Sequence, residues 1–178
     1  MKKLKKIIAS ALTSLIMMLL AAQGAYAGTI EDIQKRGKII IGLSTFVPWA
    51  MRAKNGDIIG FEIDVGRKLA EDMGVDAEFV PTAWDGIIPA LLSKKFDVIV
   101  TGMVMKPKRN LTVNFSRPYA YLAVGMAANK KKAEESGLKT MEDWNNSKVI
   151  LTIKRGTAPG ETVARLFPKA KVRQFDGD

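Results

Sequence analysis

The chain of 178 residues contains no cysteine and no histidine. Without thiols there is neither a disulfide framework nor a thiolate metal site, and without imidazole the commonest metal ligand and general base is missing. A serine or cysteine nucleophile served by histidine is thereby excluded. Aromatic residues are sparse at 7%. The basic residues are spread along the chain without the interleaved rings that stack bases, so nucleic acid is not an expected partner. Internal repeats and low-complexity linkers are absent as well. What is present is 47% apolar residues, enough to exclude a disordered chain. The length allows one domain, or one and a half small ones.

The first 27 residues read as a leader rather than as part of the fold. Lys2, Lys3, Lys5 and Lys6 form a basic head, Ile7 to Ala22 an apolar stretch, and Ala25-Tyr26-Ala27 a small-x-small cleavage site. That is the pattern of a secretory signal peptide. The apolar stretch is short for a membrane span, which needs about 20 residues, so the mature chain is expected to begin at Gly28. The formal net charge is +10. Without the four leader lysines, 24 basic residues face 18 acidic ones, a net charge of +6. Such a balance draws anionic ligands over a range that salt shortens.

The most informative stretch is Phe96 to Tyr119. Val98 to Gly102 follow Asp97 without polar alternation, as in a strand of a parallel sheet buried on both faces. Met103 to Lys108 has no helical period and contains Pro107, so the chain is expected to leave the sheet as a loop at the strand's carboxyl end. Small ligands bind at that edge in open α/β sheets. Arg109 lies close enough to fold its guanidinium back over the strand end, where a planar fork of donors can grip a carboxylate. The competing reading is a solvated loop cation beside Lys106 and Lys108.

Around this stretch the pattern predicts alternating strands and helices. Lys38 to Leu43 is a strand, and Ser44 to Trp49 is the loop at its carboxyl end, carrying Phe46 and Trp49. Ile58 to Phe61 is extended. Glu62 and Asp64 open a helix with Val65, Leu69 and Met73 on one face and Gly74 as terminator. Ala77 to Val80 is a strand. Asp85 is a natural N-cap for the next helix, with Trp84 just before it. This β-α-β-α-β order implies right-handed crossovers and a doubly wound lobe. Tyr121 to Ala128 reads as strand-like, and Lys130-Lys131-Lys132 as a solvated turn. Lys148 to Ile153 is a strand, Glu161 to Phe167 a helix stopped by Pro168, and Lys171 to Phe175 one more strand.

Four stretches taken in order, IGLSTFVPW (Ile41 to Trp49), IGFEIDVGRKLAEDMG (Ile59 to Gly74), WDGIIPALLSKKFD (Trp84 to Asp97) and FDVIVTGMVMKPKRNLTVNFSRPY (Phe96 to Tyr119), resemble the periplasmic substrate-binding proteins of ABC importers. The likeness is to the polar amino-acid class, solute-binding protein family 3; KRGTAPGE (Lys154 to Glu161) is a weaker fifth stretch. The resemblance implies an α/β, two-lobed periplasmic-binding-protein type II fold. Residues 28–120 would form a near-complete first lobe, and 121–178 the crossover and part of a second lobe. It further implies a periplasmic monomer that binds a small molecule, an amino acid or related carboxylate, and delivers it to an inner-membrane ABC permease. No cofactor, metal or catalytic residue is implied.

Carried over by the same resemblance, Arg109 holds the ligand's carboxylate and Gly102 offers its backbone to the ammonium. Thr101 frames the pocket, Phe46 and Trp84 flank the side chain, and Thr157 and Ala158 supply backbone N–H groups from the second lobe. Two positions depart from the family pattern. Val104 stands where a hydroxyl usually receives the ammonium, and Ala158 where a second hydroxyl is usual, so a carboxylate without an amine stays open as the ligand. The family's second lobe continues beyond the point reached at Asp178, so a truncated chain with an unstable second lobe is expected. The rival readings are a cyclohexadienyl-dehydratase-like enzyme and the extracellular sensor lobe of a receptor, both on the same architecture.

Overall fold

The computed structural model describes residues 29–176, so the expected leader lies outside the described residues. Helix α1 (Thr29–Arg36) leads into strand β1 (Lys38–Leu43) through Gly37, whose positive φ of 71° turns the chain at the helix end. β1 is the centre of a parallel three-stranded sheet. β4 (Asp76–Pro81) pairs along its whole length, from Lys38 opposite Asp76 to Leu43 opposite Pro81, and β5 (Val98–Ile99) pairs at Ile41 and Gly42. A small antiparallel ribbon of β2 (Met51–Arg52) and β3 (Ile58–Ile59) lies between β1 and the next helix.

The unbroken Ile39-Ile40-Ile41 run is explained by burial on both faces. Ile39, Ile41 and Leu43 are almost fully buried on the side packed by α2 (Phe61–Met73), together with Ile63 and Ala70. Ile40 packs on the opposite side with Ile87, Ala90 and Phe96, where α3 (Ile87–Leu92) covers the sheet. Gly42 is required beneath that ring, since a Cβ there would overlap Phe96. Each fully buried isoleucine contributes about 1.5–3 kcal/mol. The sheet's edge is pinned by Asp97, whose carboxylate accepts from the Ile40 N–H at 2.7 Å and pairs with Arg36.

The second sheet has two parallel strands, β6 (Ile150–Lys154) and β7 (Lys171–Phe175), with Ile150 opposite Lys171. Helix α6 (Pro159–Leu166) connects them and begins on a proline, which is tolerated in the first turn. Its core consists of Val149, Leu151 and Phe167, with Leu138, Trp144 and Val163 against it. Along the chain, α4 (Pro107–Asn110) and α5 (Lys130–Glu135) fall between the strands of the two sheets. Among the described residues no helix is long and apolar enough to cross a membrane.

Several local expectations are corrected. The strand expected over Val98 to Gly102 is a ladder of two half-buried residues. Val100 still donates to the Gly42 carbonyl at 3.0 Å, but a tight turn from Met103 N–H to the Thr101 carbonyl at 2.5 Å pulls the chain off the sheet. Helix α2 starts one residue early, at Phe61, because Gly60 at φ 129° carries the chain past the Trp49 carbonyl, where a side chain would collide. Its buried line is Glu62, Ile63, Gly66 and Ala70, whereas Leu69 is exposed. Asp85 caps nothing through its side chain; it sits inside the 3-10 turn Trp84–Gly86 that precedes α3. Tyr121 to Ala128 joins no ladder among the described residues. Lys130 to Lys132 form the first half of α5 rather than a turn, because the Asn129 side chain accepts from the Lys132 N–H and caps the helix.

Candidate ligand-binding cleft

Each strand end at this edge carries a polar or aromatic group into one cleft of about 1590 Å³. From the end of β1 come Ser44, Thr45, Phe46 and Trp49; from the end of β5 come Thr101 and Gly102. Val104 and Arg109 follow on the loop and α4, Trp84 heads the turn after β4, and Thr157 and Ala158 lie between β6 and α6. The eight residues singled out by sequence therefore line one cavity. Phe46 is 60% and Val104 51% exposed, so both present apolar surface to it, while Thr101 is buried at its floor.

Arg109 is held by its own helix and loop. Lys106 stands before α4, and its carbonyl accepts from the Arg109 N–H at 2.9 Å, which turns the side chain back towards the strand end. The guanidinium donates through Nη1 to the Val104 carbonyl at 2.6 Å and through Nη2 to the Gly156 carbonyl at 3.0 Å. It also lies over the Trp84 ring, 5.5 Å from the ring centre, a cation–π arrangement worth about 0.5–2 kcal/mol. Burial pulls the guanidinium down from its ordinary pKa, and the Glu161 carboxylate opposes that shift. The Trp84 indole is wedged against Gly156 as well, where a Cβ would stand 3.5 Å from the ring. Lys106 pairs with Glu161 at 2.9 Å, a second link from the β5 loop to α6.

On the second sheet's side, the Thr157 hydroxyl donates to the Lys154 carbonyl at 2.6 Å, closing the β6 turn. Ala158 precedes α6, at the positive end of that helix. The lining has no carboxylate among the described residues, and its charged members are Arg109, Lys132, Lys148 and Lys154. No group of acids among the described residues could hold a metal ion. The cleft's chemistry is that of a receptor for an anionic group flanked by apolar surface.

Sequence reasoning missed one feature behind this wall. Glu62 reads as a first-turn acid answering the helix dipole, yet it is 3% exposed. Its Oε2 accepts from the Tyr119 hydroxyl at 2.5 Å, and the same hydroxyl lies 3.3 Å from the Thr101 carbonyl. Burial pushes the Glu62 carboxyl up, against the lowering effect of the Tyr119 bond, and pushes the phenol far above its usual range. Tyr119, Phe61 and Trp49 form a chain of ring contacts with centroids 6.3 and 5.6 Å apart. No local signal in the sequence announces this contact, because its partners lie 57 residues apart.

A parallel sheet with ligand-facing strand ends, opposed across a cleft by a second parallel sheet, is the arrangement of type II periplasmic binding proteins. Residues 39–171 match the family model of bacterial extracellular solute-binding proteins, family 3, and the chain belongs to that family. It is 32% identical over 152 residues to the L-cystine-binding protein TcyJ of Escherichia coli strain K12, a match covering 85% of this chain and 56% of the relative. The chain thus spans about half the length of the curated relatives it matches. Among solved structures, the ancestral amino acid-binding protein AncCDT-1, a precursor of cyclohexadienyl dehydratase, is 39% identical with a TM-score of 0.74, covering 85% of this chain and 67% of that one. A putative ABC-transporter binding component from Wolinella succinogenes, complexed with lysine, is 36% identical with a TM-score of 0.67, covering 79% and 60%.

Proposed function

We propose that this chain is the ligand-capturing part of an amino-acid ABC importer, exported to the periplasm as a monomer that hands its ligand to an inner-membrane permease. Residues 28–120 act as the first lobe and 121–178 as the crossover and second lobe. The reading rests on the placement of Arg109, whose guanidinium lines the cleft beside Thr101 and Gly102 while spanning to Gly156. Two of its five donors rest on neutral carbonyls, which bind more weakly than a carboxylate does. An incoming α-carboxylate takes those donors, and Phe46 and Trp84 bracket the side chain. Family membership and relatives named for cystine and arginine support an amino acid as the ligand class. Contacts to both sheets then favour closure of the cleft.

The test is calorimetric titration with amino acids, on wild type and on Arg109→Ala. Two charge-assisted hydrogen bonds at about 1.5–3 kcal/mol each give an expected loss of affinity of about a hundredfold or more. Equal affinity of the two proteins would remove Arg109 from the site. A dehydratase would require an acid or base in the cleft, and the described lining has no carboxylate. Turnover of prephenate or arogenate by the protein would replace the transport reading.

A further inference from the structure

The charged side chains around the cleft are all of one sign. Its lining carries Arg109, Lys132, Lys148 and Lys154, and no carboxylate among the described residues. The acids nearby are committed elsewhere. Glu161 lies outside the lining and pairs with Lys106 at 2.9 Å. Asp85 borders only a separate cavity of about 220 Å³, which it shares with Trp84, Arg109 and Gly156. Glu62 is 3% exposed and accepts from the Tyr119 hydroxyl. An α-amino acid brings an ammonium and a carboxylate that cancel, so the net charge it adds to the cleft is that of its side chain. Facing these cations, a guanidinium or ammonium side chain meets repulsion, whereas a carboxylate meets attraction and charge-assisted donors.

Distance selects the cation that meets the side chain. Lys154 ends β6, and its carbonyl accepts from the Thr157 hydroxyl at 2.6 Å, so the chain turns there. Two residues further on, the Gly156 carbonyl accepts from Arg109 Nη2 at 3.0 Å. Two residues span at most about 7 Å, which places the root of Lys154 near the guanidinium that anchors the ligand. Lys148 stands six residues before Lys154, about 20 Å away along an extended strand, beyond a small ligand held at Arg109. Lys132, on α5, adds to the sign of the lining. Resting on the binding reading above, we infer that the ligand is an amino acid with a second carboxylate, and that Lys154 is the specificity-determining residue that receives it while Arg109 holds the first. The same lining selects against arginine and lysine.

The experiment is calorimetric titration with three pairs of ligands: L-glutamate and L-glutamine, L-2-aminoadipate and L-lysine, and L-cystine and the mixed disulfide of L-cysteine with cysteamine. The first member of each pair carries a second carboxylate that the other lacks. Wild type is expected to bind the dicarboxylate of at least one pair about tenfold or more tighter than its mate. Lys154→Gln keeps a hydrogen-bond donor and removes the charge; it is expected to cut that ratio about tenfold by weakening the dicarboxylate alone. Lys154→Arg keeps the charge and is expected to hold the ratio within about threefold. A wild-type ratio near one, or reversed, overturns the inference and leaves amino-acid capture standing, because a ligand is still bound. A ratio that survives Lys154→Gln unchanged overturns the role of Lys154. Should that variant fail to fold, the wild-type ratio in rising salt decides: a preference based on charge shrinks, and one that stays constant overturns the inference. Wild type that binds none of the six but does bind another amino acid sinks this inference alone, whereas binding of no amino acid removes the transport reading as well.

Discussion

The two parallel sheets of this molecule have the same local grammar and very different interiors. In the first, β1 is covered on both faces, and Ile41, Leu43, Ile63 and Ile87 are fully enclosed. In the second, β6 and β7 pair with full register, yet every residue of β7 is exposed and Ile150, Leu166 and Phe175 show about half of their surface. Hydrogen-bonded pairing alone does not make an interior; a strand gains stability in proportion to the apolar area it buries. The first sheet therefore sets the rigid wall of the cleft, and the second presents Gly156, Thr157 and Ala158 from a thinner base. An element with few buried contacts opens at lower free energy than one at the centre of a core.

This contrast can be broken by cavity mutations. Ile41→Ala empties a fully enclosed site and is expected to cost about 2–5 kcal/mol in urea unfolding. Leu151→Ala, in a core of three buried residues, is expected at the low end of that range, with amide exchange accelerated in β6 and α6 and unchanged in β1. Equal costs for the two variants would mean that the sheets share one interior. Next in size is the edge of the first sheet. Asp97→Ala strips the Ile40 N–H and Arg36 of their acceptor and is expected to cost about 1–3 kcal/mol, read from the same unfolding curves.

A smaller effect should appear at Glu62, where pH supplies the handle. Burial raises its folded pKa above the ordinary glutamate value, so the unfolded state ionises first as pH rises. The ionised buried form costs stability at neutral pH, and that cost is relieved as pH falls through the raised value towards the ordinary one. Glu62→Gln should therefore be more stable than wild type at pH 7, and the advantage should shrink as pH falls through the raised carboxyl pKa. A constant difference between the two proteins across that range would contradict the assigned cause.

The unequal interiors also explain what could be read from the sequence. Runs such as Ile39-Ile40-Ile41 announce two-sided burial, and Gly37 and Gly74 punctuate their helices, so the order and bounds of β1, α2 and β4 were legible within a residue or two. The strand-end rule put Phe46, Trp84, Gly102 and Arg109 on one edge before any coordinates. What stayed hidden depends on partners far along the chain. Nothing local to Glu62 says that Tyr119 will close over it. Nothing local to Val98–Gly102 says that the turn at Thr101 will outcompete further pairing with β1. Tyr121–Ala128 has the composition of a strand, but a ladder needs a neighbour, and among the described residues none lies alongside.

The link between the two sheets offers the finest probe. Lys106 is mostly buried and Glu161 mostly exposed, at 16% and 76%, and their 2.9 Å contact bridges the β5 loop to α6. Lys106, with help from Arg109 and Lys108, holds the Glu161 carboxyl below the usual glutamate value. A depressed folded pKa places the contribution above the unfolded pKa, and it is lost as pH falls through the folded one. Because one partner faces solvent, the contribution is small and salt-sensitive. Glu161→Gln should consequently quicken amide exchange at the turn from Gly156 into α6 in low salt at pH 7, leave β1 untouched, and match wild type in high salt or below the Glu161 pKa. An effect that survives high salt undiminished would mean that Glu161 supports α6 by packing, and that the two sheets are held together by Arg109 and Trp84 without an electrostatic clasp.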